Sequence, residues 1–337
     1  MAQAGTELTS WQGEPAVRFF AGGYEALIIP GVGANLIELK NPSMGVDLLR
    51  TPAVDIETFK GRPQVYGIPV LFFPNRIEDG TFKVDGKVYN FPINEPNNNH
   101  NHIHGFLHKA AWTITRAEAV SDCAAEAEAV FKADRATDFY KYLPHEFEIR
   151  MLYKLDSEGL YQKVTIINQS ASAMPIGLGF HTAFNTPFHS GSSADDCSIR
   201  VAAGDRWEFS ERLLPTGRLL PQENEADDFR TKGVKTQGHQ IAAHFKARPL
   251  RLKDRELNGA IIEDEAAGLR LVYEAGQDYK HWMVWNESGA SGFICPEPQT
   301  WVVNAPNVRL PAEETGFRLL KPDEKWEDFC RIYVEKI

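Results

Sequence analysis

Imidazole and carboxylate side chains that could exchange protons with a substrate, or hold a metal ion, are concentrated in a few short stretches of this sequence. Residues 99 to 106, NHNHIHGF, place His100, His102 and His104 at alternate positions. On an extended strand the three rings would share one face, as a metal site could use. Asparagine and glycine at both ends disfavour a regular strand, and no HExxH motif or paired histidine and carboxylate supplies further ligands. Three interpretations stay open: a metal site, a polar surface loop, or part of an acid/base pair.

A glutamate enclosed by two prolines is the most informative ionisable residue of the chain. In CPEPQTWVVNAPN, Glu297 lies between Pro296 and Pro298, and a following proline forces a residue out of the helical region into extended backbone. A stiff, extended strand therefore presents this carboxylate. Apolar neighbours would raise the pKa of a partly desolvated carboxyl and make it a better base; they are Phe293, Cys295 and Trp301.

The candidate acid is His181 in GLGFHTAFN. It follows Gly177 and Gly179 inside an otherwise apolar, strand-like run. One interpretation is a core histidine that is hydrogen-bonded to a backbone carbonyl. The other is a general acid, because imidazole titrates near neutrality. With Glu297 as the base, such a pair suits proton transfer and needs neither a nucleophile nor a metal.

An arginine is the fourth candidate for a role in a site. In FFPNRIEDGTF, Arg76 follows Asn75 and precedes a turn at Asp79 and Gly80. Beside a turn, an arginine is commonly a solvated cation or a partner in a local ion pair. The functional alternative is a guanidinium fork that binds adjacent hydroxyls or a carboxylate in a pocket.

The elements that must position these residues have the pattern of short β-strands. Residues 147–155 alternate between apolar and polar side chains, and residues 125–132 repeat the alternation. Further strand-like runs lie between clusters of Gly, Pro, Asn and Asp, at 24–30, 162–168, 269–274, 281–286 and 329–334. Many short strands between turn signals predict an all-β fold, a sandwich or a barrel.

Helical periodicity is scarce in comparison. Residues 55–60 and 136–142 could each form a turn or two, but no stripe of apolar residues with a period of 3.6 extends over a dozen residues. This disfavours a βαβ architecture, and neither GxGxxG nor GxxxxGK follows a predicted strand. The polar stretch 222–238 predicts the longest surface loop.

Composition excludes several classes of partner and site. The 337 residues carry a formal net charge of −10, and without a cationic cluster such a chain is repelled by the phosphates of nucleic acids. The four cysteines contain no CxxC pair, which indicates reduced, mostly buried thiols. No run of about 18 apolar residues predicts a membrane span. The first residues have no basic and apolar leader pattern, so we expect a cytoplasmic protein.

Four motifs in this order resemble the aldose 1-epimerase (galactose mutarotase) family. They are PNRIEDGTF, the N-x-x-H-G pattern of NHIHG, FHTAFN and PEPQTWVVNAPN, and they span residues 67 to 307. The resemblance implies a large antiparallel β-sandwich with a few short helices, and one such domain over residues 1–337. The implied activity interconverts the α and β anomers of a free aldose. No cofactor and no metal are expected, and the partner is a small-molecule sugar bound by a monomer or homodimer.

The resemblance also implies roles for single residues. Glu297 would be the base that takes the proton of the anomeric hydroxyl, and His181 the acid that protonates the ring oxygen. His104 would hydrogen-bond the sugar near the ring oxygen. Arg76, with Asn75 and Asn101 beside it, would bind further hydroxyls. Aromatic faces for a sugar could come from four residues near the motifs: Phe72, Phe73, Trp282 and Trp285.

The sequence departs from the family pattern at two positions. Ala243, in AAHF, occupies the position of an aspartate that binds sugar hydroxyls in galactose-type members, and Lys109 replaces an arginine. Either Asp264 or Glu263 could supply the missing carboxylate. Three alternatives to a mutarotase remain: a carbohydrate-binding or sensing protein with weak or no turnover, a relative acting on sugar phosphates, for which the cations are few, and a metal site.

Overall fold

The structure is a computed structural model that describes residues 3–95, 99–221 and 228–337. Within these residues the chain forms thirty β-strands and two short α-helices. The first fifteen strands are β1 Gly5–Trp11, β2 Glu14–Ala21, β3 Tyr24–Ile29, β4 Asn35–Asn41, β5 Val46–Asp47, β6 Val70–Leu71, β7 Arg76–Glu78, β8 Thr81–Val84, β9 Lys87–Asn90, β10 Asn101–Ile103, β11 Thr113–Ser121, β12 Ala124–Ala133, β13 Phe147–Asp156, β14 Gly159–Asn168 and β15 Met174–Ile176.

The remaining strands follow at similar spacing. They are β16 Gly179–Phe180, β17 Phe184–Asn185, β18 Cys197–Val201, β19 Ala203–Phe209, β20 Pro215–Leu220, β21 Val234–Lys235, β22 Ala242–Ala247, β23 Leu250–Leu252, β24 Arg255–Leu257, β25 Gly259–Asp264, β26 Leu269–Ala275, β27 His281–Trp285, β28 Phe293–Gln299, β29 Arg318–Leu320 and β30 Lys325–Lys336. The helices are α1 Ile56–Gly61 and α2 Ala312–Thr315, and single 3-10 turns occur at Pro42–Met44, Pro63–Val65, Ala194–Asp196 and Ala305–Asn307.

Two large antiparallel sheets form the sandwich. One has nine strands in the order β11-β12-β13-β14-β30-β26-β25-β18-β21. The other runs β20-β19-β22-β27-β28-β16-β6, with β17 also pairing with β28. The two sheets meet across the core, where the Tyr273 ring of β26 lies 5.9 Å from the Trp282 ring of β27. A third sheet, β1 to β5 in sequence order, packs through β2 against β12 and β13. The prediction of an all-β antiparallel sandwich is confirmed.

The predicted alternation defines the core face of the nine-stranded sheet. On β13 the apolar side chains of alternate residues are fully buried; they are Phe147, Ile149, Met151, Tyr153 and Leu155. Burying one such side chain contributes roughly 1.5–3 kcal/mol, and a slip of one residue would expose all five. This buried face therefore fixes the register in which β13 pairs with its neighbouring strands. Each of the five other predicted runs lies largely within a strand, namely β3, β14, β26, β27 and β30.

The two predicted helical turns have different outcomes. Residues 56–61 form α1, because the Asp55 carboxylate caps the helix by accepting from the Thr58 amide at 2.9 Å. Residues 136–142 form the predicted turns, in which the Tyr140 amide donates to the Thr137 carbonyl at 2.8 Å, but not a regular helix. There the Asp134 carboxylate accepts from the Ala136 amide at 2.8 Å, and such local bonds compete with the helical pattern.

The predicted long loop at 222–238 is partly a strand. Residues 222–227 lie outside the described part of the chain. Val234 and Lys235 form β21, which pairs with β18 at the edge of the nine-stranded sheet. The polar composition of the stretch fits an edge strand, where one side of the ladder faces water.

Candidate active site

A cleft of about 640 Å³ lies against the face of the eight-stranded sheet that points away from the core. Its volume is in the range of small-molecule sites. Five of the six site residues predicted from the sequence line it: Asn75, Arg76, His104, His181 and Glu297. Further lining residues include Arg62, Glu95, Phe209, Met283 and Trp285.

The alternation of three strands builds the floor of this cleft. Residues paired across an antiparallel ladder point to the same face, and β28 pairs Glu297 with Met283 while β22 pairs Ala242 with Trp285. Trp282, the residue before Met283, points to the opposite face, into the core, where its Nε1 donates to the Asn258 side chain at 2.9 Å. One strand face thus supplies a carboxylate beside an aromatic and a thioether surface.

The candidate base and the candidate acid are in direct contact at the bottom of the cleft. His181 Nε2 lies 3.2 Å from Glu297 Oε1. Glu297 is 1% exposed and His181 6% exposed. The other carboxylate oxygen of Glu297 accepts from the Gln299 amide at 3.1 Å. The His181 ring also packs edge-on against Trp285, with 5.3 Å between the ring centroids.

A gap in the pairing of β28 brings His181 to Glu297. β16 pairs with β28 at Gln299, and β17 pairs with β28 at Phe293 and Ile294. Between these two points residues 181–183 pair instead with residues 67–69, since the His181 amide donates to the Pro69 carbonyl at 3.2 Å. Pro296 and Pro298, which lack an N–H, fall within this gap. The prolines are therefore tolerated in the middle of a sheet.

Burial shifts the pKa values of both groups toward their neutral forms. Removal from water raises the pKa of Glu297 well above its usual value, against the opposing effects of the Gln299 hydrogen bond and the Arg76 charge. Burial likewise lowers the pKa of His181 to about 4, opposed by a backbone hydrogen bond and assisted by the charge of Arg62. A higher pKa makes a carboxylate a stronger base, and a lower pKa makes an imidazolium a stronger acid.

Arg76 is held by a carboxylate that the sequence motifs did not include. Its Nε donates to Glu95 Oε1 at 2.6 Å, and its Nη1 donates to Asn75 Oδ1 at 3.2 Å. The side chains are 15% exposed for Arg76 and 5% for Glu95. A guanidinium has five N–H donors, so donors remain for a ligand in the cleft. Arg76 is an anchored donor here, and the interpretation as a solvated cation is wrong.

His104 is positioned by the ladder between β7 and β10. The pair of Arg76 with Ile103 brings the two motifs side by side, and the His104 amide donates to the Asn75 carbonyl at 3.0 Å. The His104 ring lies 5.5 Å from the His181 ring. Burial, with the charges of neighbouring histidines and Arg76, lowers the pKa of His104 well below its usual value. Gly105 has a φ of 64°, and an added Cβ there would lie 1.8 Å from the Phe72 carbonyl oxygen. This contact accounts for the glycine after His104.

The other two histidines of NHNHIHGF have no place in the cleft. His100 is exposed and lies 3.0 Å from the Asp79 carboxylate. His102, which the polar-loop interpretation would place at the surface, is instead buried on β10, where Nδ1 lies 2.7 Å from the Pro92 carbonyl oxygen and the ring packs on Phe91. His100 and His104 lie just outside β10 and have φ values of 55° and 66°, which break the extended backbone on both sides of His102, so the shared histidine face does not exist. Among the described residues, no three His, Cys, Asp or Glu side chains converge as a metal site requires.

Asn101, the sixth predicted site residue, is not among the residues lining the cleft. Its amide donates to Glu95 Oε2 at 2.8 Å and to the Arg212 carbonyl at 3.2 Å. It is fully buried. It therefore supports the Glu95 carboxylate from behind rather than facing a ligand.

The structure corrects the candidates for aromatic faces and for the missing acid. Only Trp285 of the four proposed aromatic residues lines the cleft, because Phe72, Phe73 and Trp282 are buried in the core. Asp264 caps the turn after β25 by accepting from the Ala267 amide, and Glu263 pairs with Arg200 on the nine-stranded sheet; neither lines the cleft. Lys109 donates to the Gly61 carbonyl outside it.

Ala243, where the resemblance implies an aspartate, is among the residues that line the cleft, together with Ala242. Ala243 is paired with Val284 and also packs against the core, whereas Ala242 is paired with Trp285 on the cleft face. In the described residues the carboxylates lining the cleft are Glu297 and Glu95.

The thiols agree with the expectation of reduced, mostly buried cysteines. All four cysteines are free, and three of them, Cys197, Cys295 and Cys330, are buried while Cys123 is exposed. Among the described residues, neither helix has the length and apolar character of a segment that crosses a bilayer.

Comparison with known proteins gives one family. The model of the aldose 1-epimerase family matches residues 16–333. The galactose mutarotase of Pongo abelii is 29% identical over 308 residues, covering 81% of this chain and 80% of that protein. The human galactose mutarotase is 29% identical over 180 residues, and this match spans 52% of the chain and about half, 48%, of the human protein.

A solved structure shows the same fold over almost its whole length. A galactose mutarotase-like protein from Clostridium acetobutylicum is 41% identical, with 99% of both chains covered and a TM-score of 0.97. The family match covers all four sequence motifs and the strands that carry them. This chain belongs to the aldose 1-epimerase family.

Proposed function

We propose that the chain is a mutarotase that interconverts the α and β anomers of a free aldose by general acid and base catalysis. The observation that carries this proposal is the 3.2 Å contact between His181 Nε2 and Glu297 Oε1 at the floor of the cleft. The anomeric hydroxyl and the ring oxygen of a pyranose are both bonded to C1. An acid and a base that serve these two oxygens must therefore lie side by side.

Ring opening in this proposal is a pair of proton transfers. Glu297 accepts the proton of the C1 hydroxyl, whose oxygen becomes the carbonyl oxygen of the open-chain aldehyde. The bond between C1 and the ring oxygen breaks, its electron pair stays on that oxygen, and His181 supplies the proton that makes it a hydroxyl. Rotation about the C1–C2 bond exposes the other face of the carbonyl. Reclosure with reversed roles gives the other anomer and restores both groups.

The remaining polar groups of the cleft suit a polyol. Arg76, fixed by Glu95 and Asn75, would donate to hydroxyls away from C1. His104, 5.5 Å from the His181 ring, would hydrogen-bond the sugar near its ring oxygen. Trp285 and Met283 provide an apolar surface for the C–H face of the ring.

Anomer exchange of freshly dissolved sugars tests this proposal. Polarimetry and exchange NMR on α anomers of hexoses, pentoses and deoxysugars should show equilibration faster than in buffer for at least one of them. Glu297→Gln keeps the shape and removes the base, so we expect a loss of roughly 10²-fold or more in kcat. Glu263→Gln makes the same change on the nine-stranded sheet, outside the cleft, and should keep the wild-type rate.

Two outcomes would count against the proposal. Wild-type rates in the Glu297→Gln protein would show that Glu297 is not the base. A wild-type chain that binds aldoses but never exceeds the rate in buffer would identify a sugar-binding or sensing protein on this fold instead.

A further inference from the structure

Gln299 lies directly behind the candidate base and is fully buried. It is two residues from Glu297 on β28, so both side chains leave the same face of the strand. Its Nε2 donates to Glu297 Oε2 at 3.1 Å. His181 contacts the other oxygen, Oε1. The two carboxylate oxygens therefore have different partners, one from the protein interior and one at the cleft.

The neighbouring strands leave the Gln299 side chain little freedom. On one side it is paired with Gly179 of β16, where an added Cβ would lie 3.0 Å from the Gln299 Cγ. On the other side it is paired with His281 of β27, whose Nδ1 is 3.3 Å from the donating Trp207 Nε1. Since an ionised carboxylate only accepts hydrogen bonds, Glu297 also determines that the NH2 end of the Gln299 amide, not its oxygen, faces the carboxylate. The amide donor is held in place before any ligand arrives.

We propose that Gln299 is a positioning residue for the base: its amide holds Oε2 of Glu297, so that Oε1 is the oxygen presented to the sugar and to His181. This inference rests on the proposed role of Glu297. A carboxylate with one oxygen fixed has a single orientation in the cleft, and oriented groups react faster than groups that must be ordered in each turnover. Glycine at 179 is part of the same arrangement, because it has no Cβ to crowd the Gln299 side chain.

Besides the neutral amide of Gln299, few titratable or charged groups of the described residues face Glu297. They are His181 in contact with Oε1, Arg76 across the cleft, whose charge acts on Glu297, and Cys295, two residues earlier on the same face of β28. None of these three is altered when Gln299 is substituted. A hydrogen bond to the ionised carboxylate favours that form, so its loss shifts the titration of Glu297 to higher pH.

Gln299→Met tests the inference, since methionine is close to glutamine in length and has no N–H donor. We expect kcat to fall roughly tenfold or more, with a smaller change in KM. At least one limb of the pH profile of kcat/KM should move to higher pH, by roughly one unit, and neither should move lower. Gln299→Asn, which keeps the amide but withdraws it from the carboxylate, provides a second variant that does not enlarge the side chain.

Gln162→Met is the matched control. Gln162 is a similarly buried glutamine on β14, and its Nε2 donates to the Met151 sulfur at 3.9 Å rather than to a carboxylate. A purely structural effect of losing a buried glutamine should therefore appear in both methionine variants, as a change in the midpoint of thermal unfolding. Only the Gln299 variants should move the pH profile.

A direct titration separates this inference from the proposed function. In protein carrying ¹³C-labelled glutamate carboxyls, the Glu297 signal is assigned by its absence in Glu297→Gln. Its pKa should rise in both Gln299 variants and stay unchanged in Gln162→Met, whether or not the wild-type chain turns over a sugar. An unchanged pKa and pH profile in Gln299→Met and Gln299→Asn would overturn the positioning role, even with full mutarotase activity in the wild type.

Discussion

Arg76 has a fixed position in the cleft because of a carboxylate outside its own motif. Glu95 lies 19 residues later in the sequence, and it reaches Arg76 through the pairing of β7 with β10. Sequence motifs predicted five residues that the fold brings together in the cleft, because proline, glycine and histidine constrain the chain locally. They did not predict Glu95 or the support from Asn101, since these contacts depend on which strands pair.

Substituting Glu95 should lower both the stability of the fold and the affinity for the sugar. Glu95→Gln removes the charge opposite a guanidinium that is only 15% exposed, and leaving a buried cation without its partner is costly. We expect a loss of about 2 kcal/mol in the free energy of unfolding and a higher KM for the sugar. Urea denaturation and initial rates of anomer exchange measure these two effects.

Glu287→Gln is the control for this substitution. Glu287 accepts from Arg62 at 2.7 Å in a pair whose side chains are 43% and 51% exposed. An exposed ion pair contributes less than about 1 kcal/mol. Equal losses of stability in the two variants would contradict the anchoring role of Glu95.

At the scale of strands, the elements with one buried face were predictable and the shortest ones were not. β13 and β14 show clear alternation because one face packs on the core along ten residues. The strands around His181, β6, β16 and β17, have two residues each, and no periodicity exists in so short a segment. They form because neighbouring backbone is present to accept their hydrogen bonds.

The glycine that ends the N-x-x-H-G motif should be the least replaceable part of the β10 element. In Gly105→Ala the added Cβ would meet the Phe72 carbonyl oxygen, and the backbone φ of 64° also disfavours alanine. We expect a loss of roughly 3 kcal/mol in the free energy of unfolding, with a displaced His104 and reduced anomer exchange. Chemical denaturation and activity measurements on the same preparation test this.

Gly86→Ala separates the clash from the backbone strain. Gly86 has a φ of 76° in the turn between β8 and β9, and no atom lies within 4 Å of an added Cβ. An alanine there would suffer only the backbone strain of the positive φ, which should lower the free energy of unfolding by about 1 kcal/mol. If both alanine variants lose the same stability, the contact with Phe72 is not what requires glycine at 105.

On the scale of the whole molecule, one buried apolar cluster contains residues from Ala4 to Val334. It includes side chains of all three large sheets, such as Phe19 of β2, Tyr153 of β13 and Trp282 of β27. Composition and alternation predicted a sandwich, but its strand order required the structure, because most neighbours in the two large sheets are distant in sequence. We infer that the chain is a single domain.

A single domain should lose all of its structure together. We expect one transition in guanidinium chloride, with the same midpoint by far-UV circular dichroism and by tryptophan fluorescence. Trp11 reports on the five-stranded sheet, where its ring packs 5.6 Å from Phe59, and Trp282 reports on the centre of the sandwich. Single-tryptophan variants with separate midpoints would show that the first sheet unfolds as its own unit.

The position of β30 determines when the nine-stranded sheet can be completed during synthesis. The strand lies between β14 and β26, in the middle of the nine-stranded sheet. During synthesis the two halves of that sheet, β11 to β14 and the group of β18, β21, β25 and β26, remain unjoined until the ribosome has released Lys325–Lys336. Each half then exposes an open edge that could pair with another nascent chain. The nascent protein is therefore most exposed to misassembly just before β30 emerges.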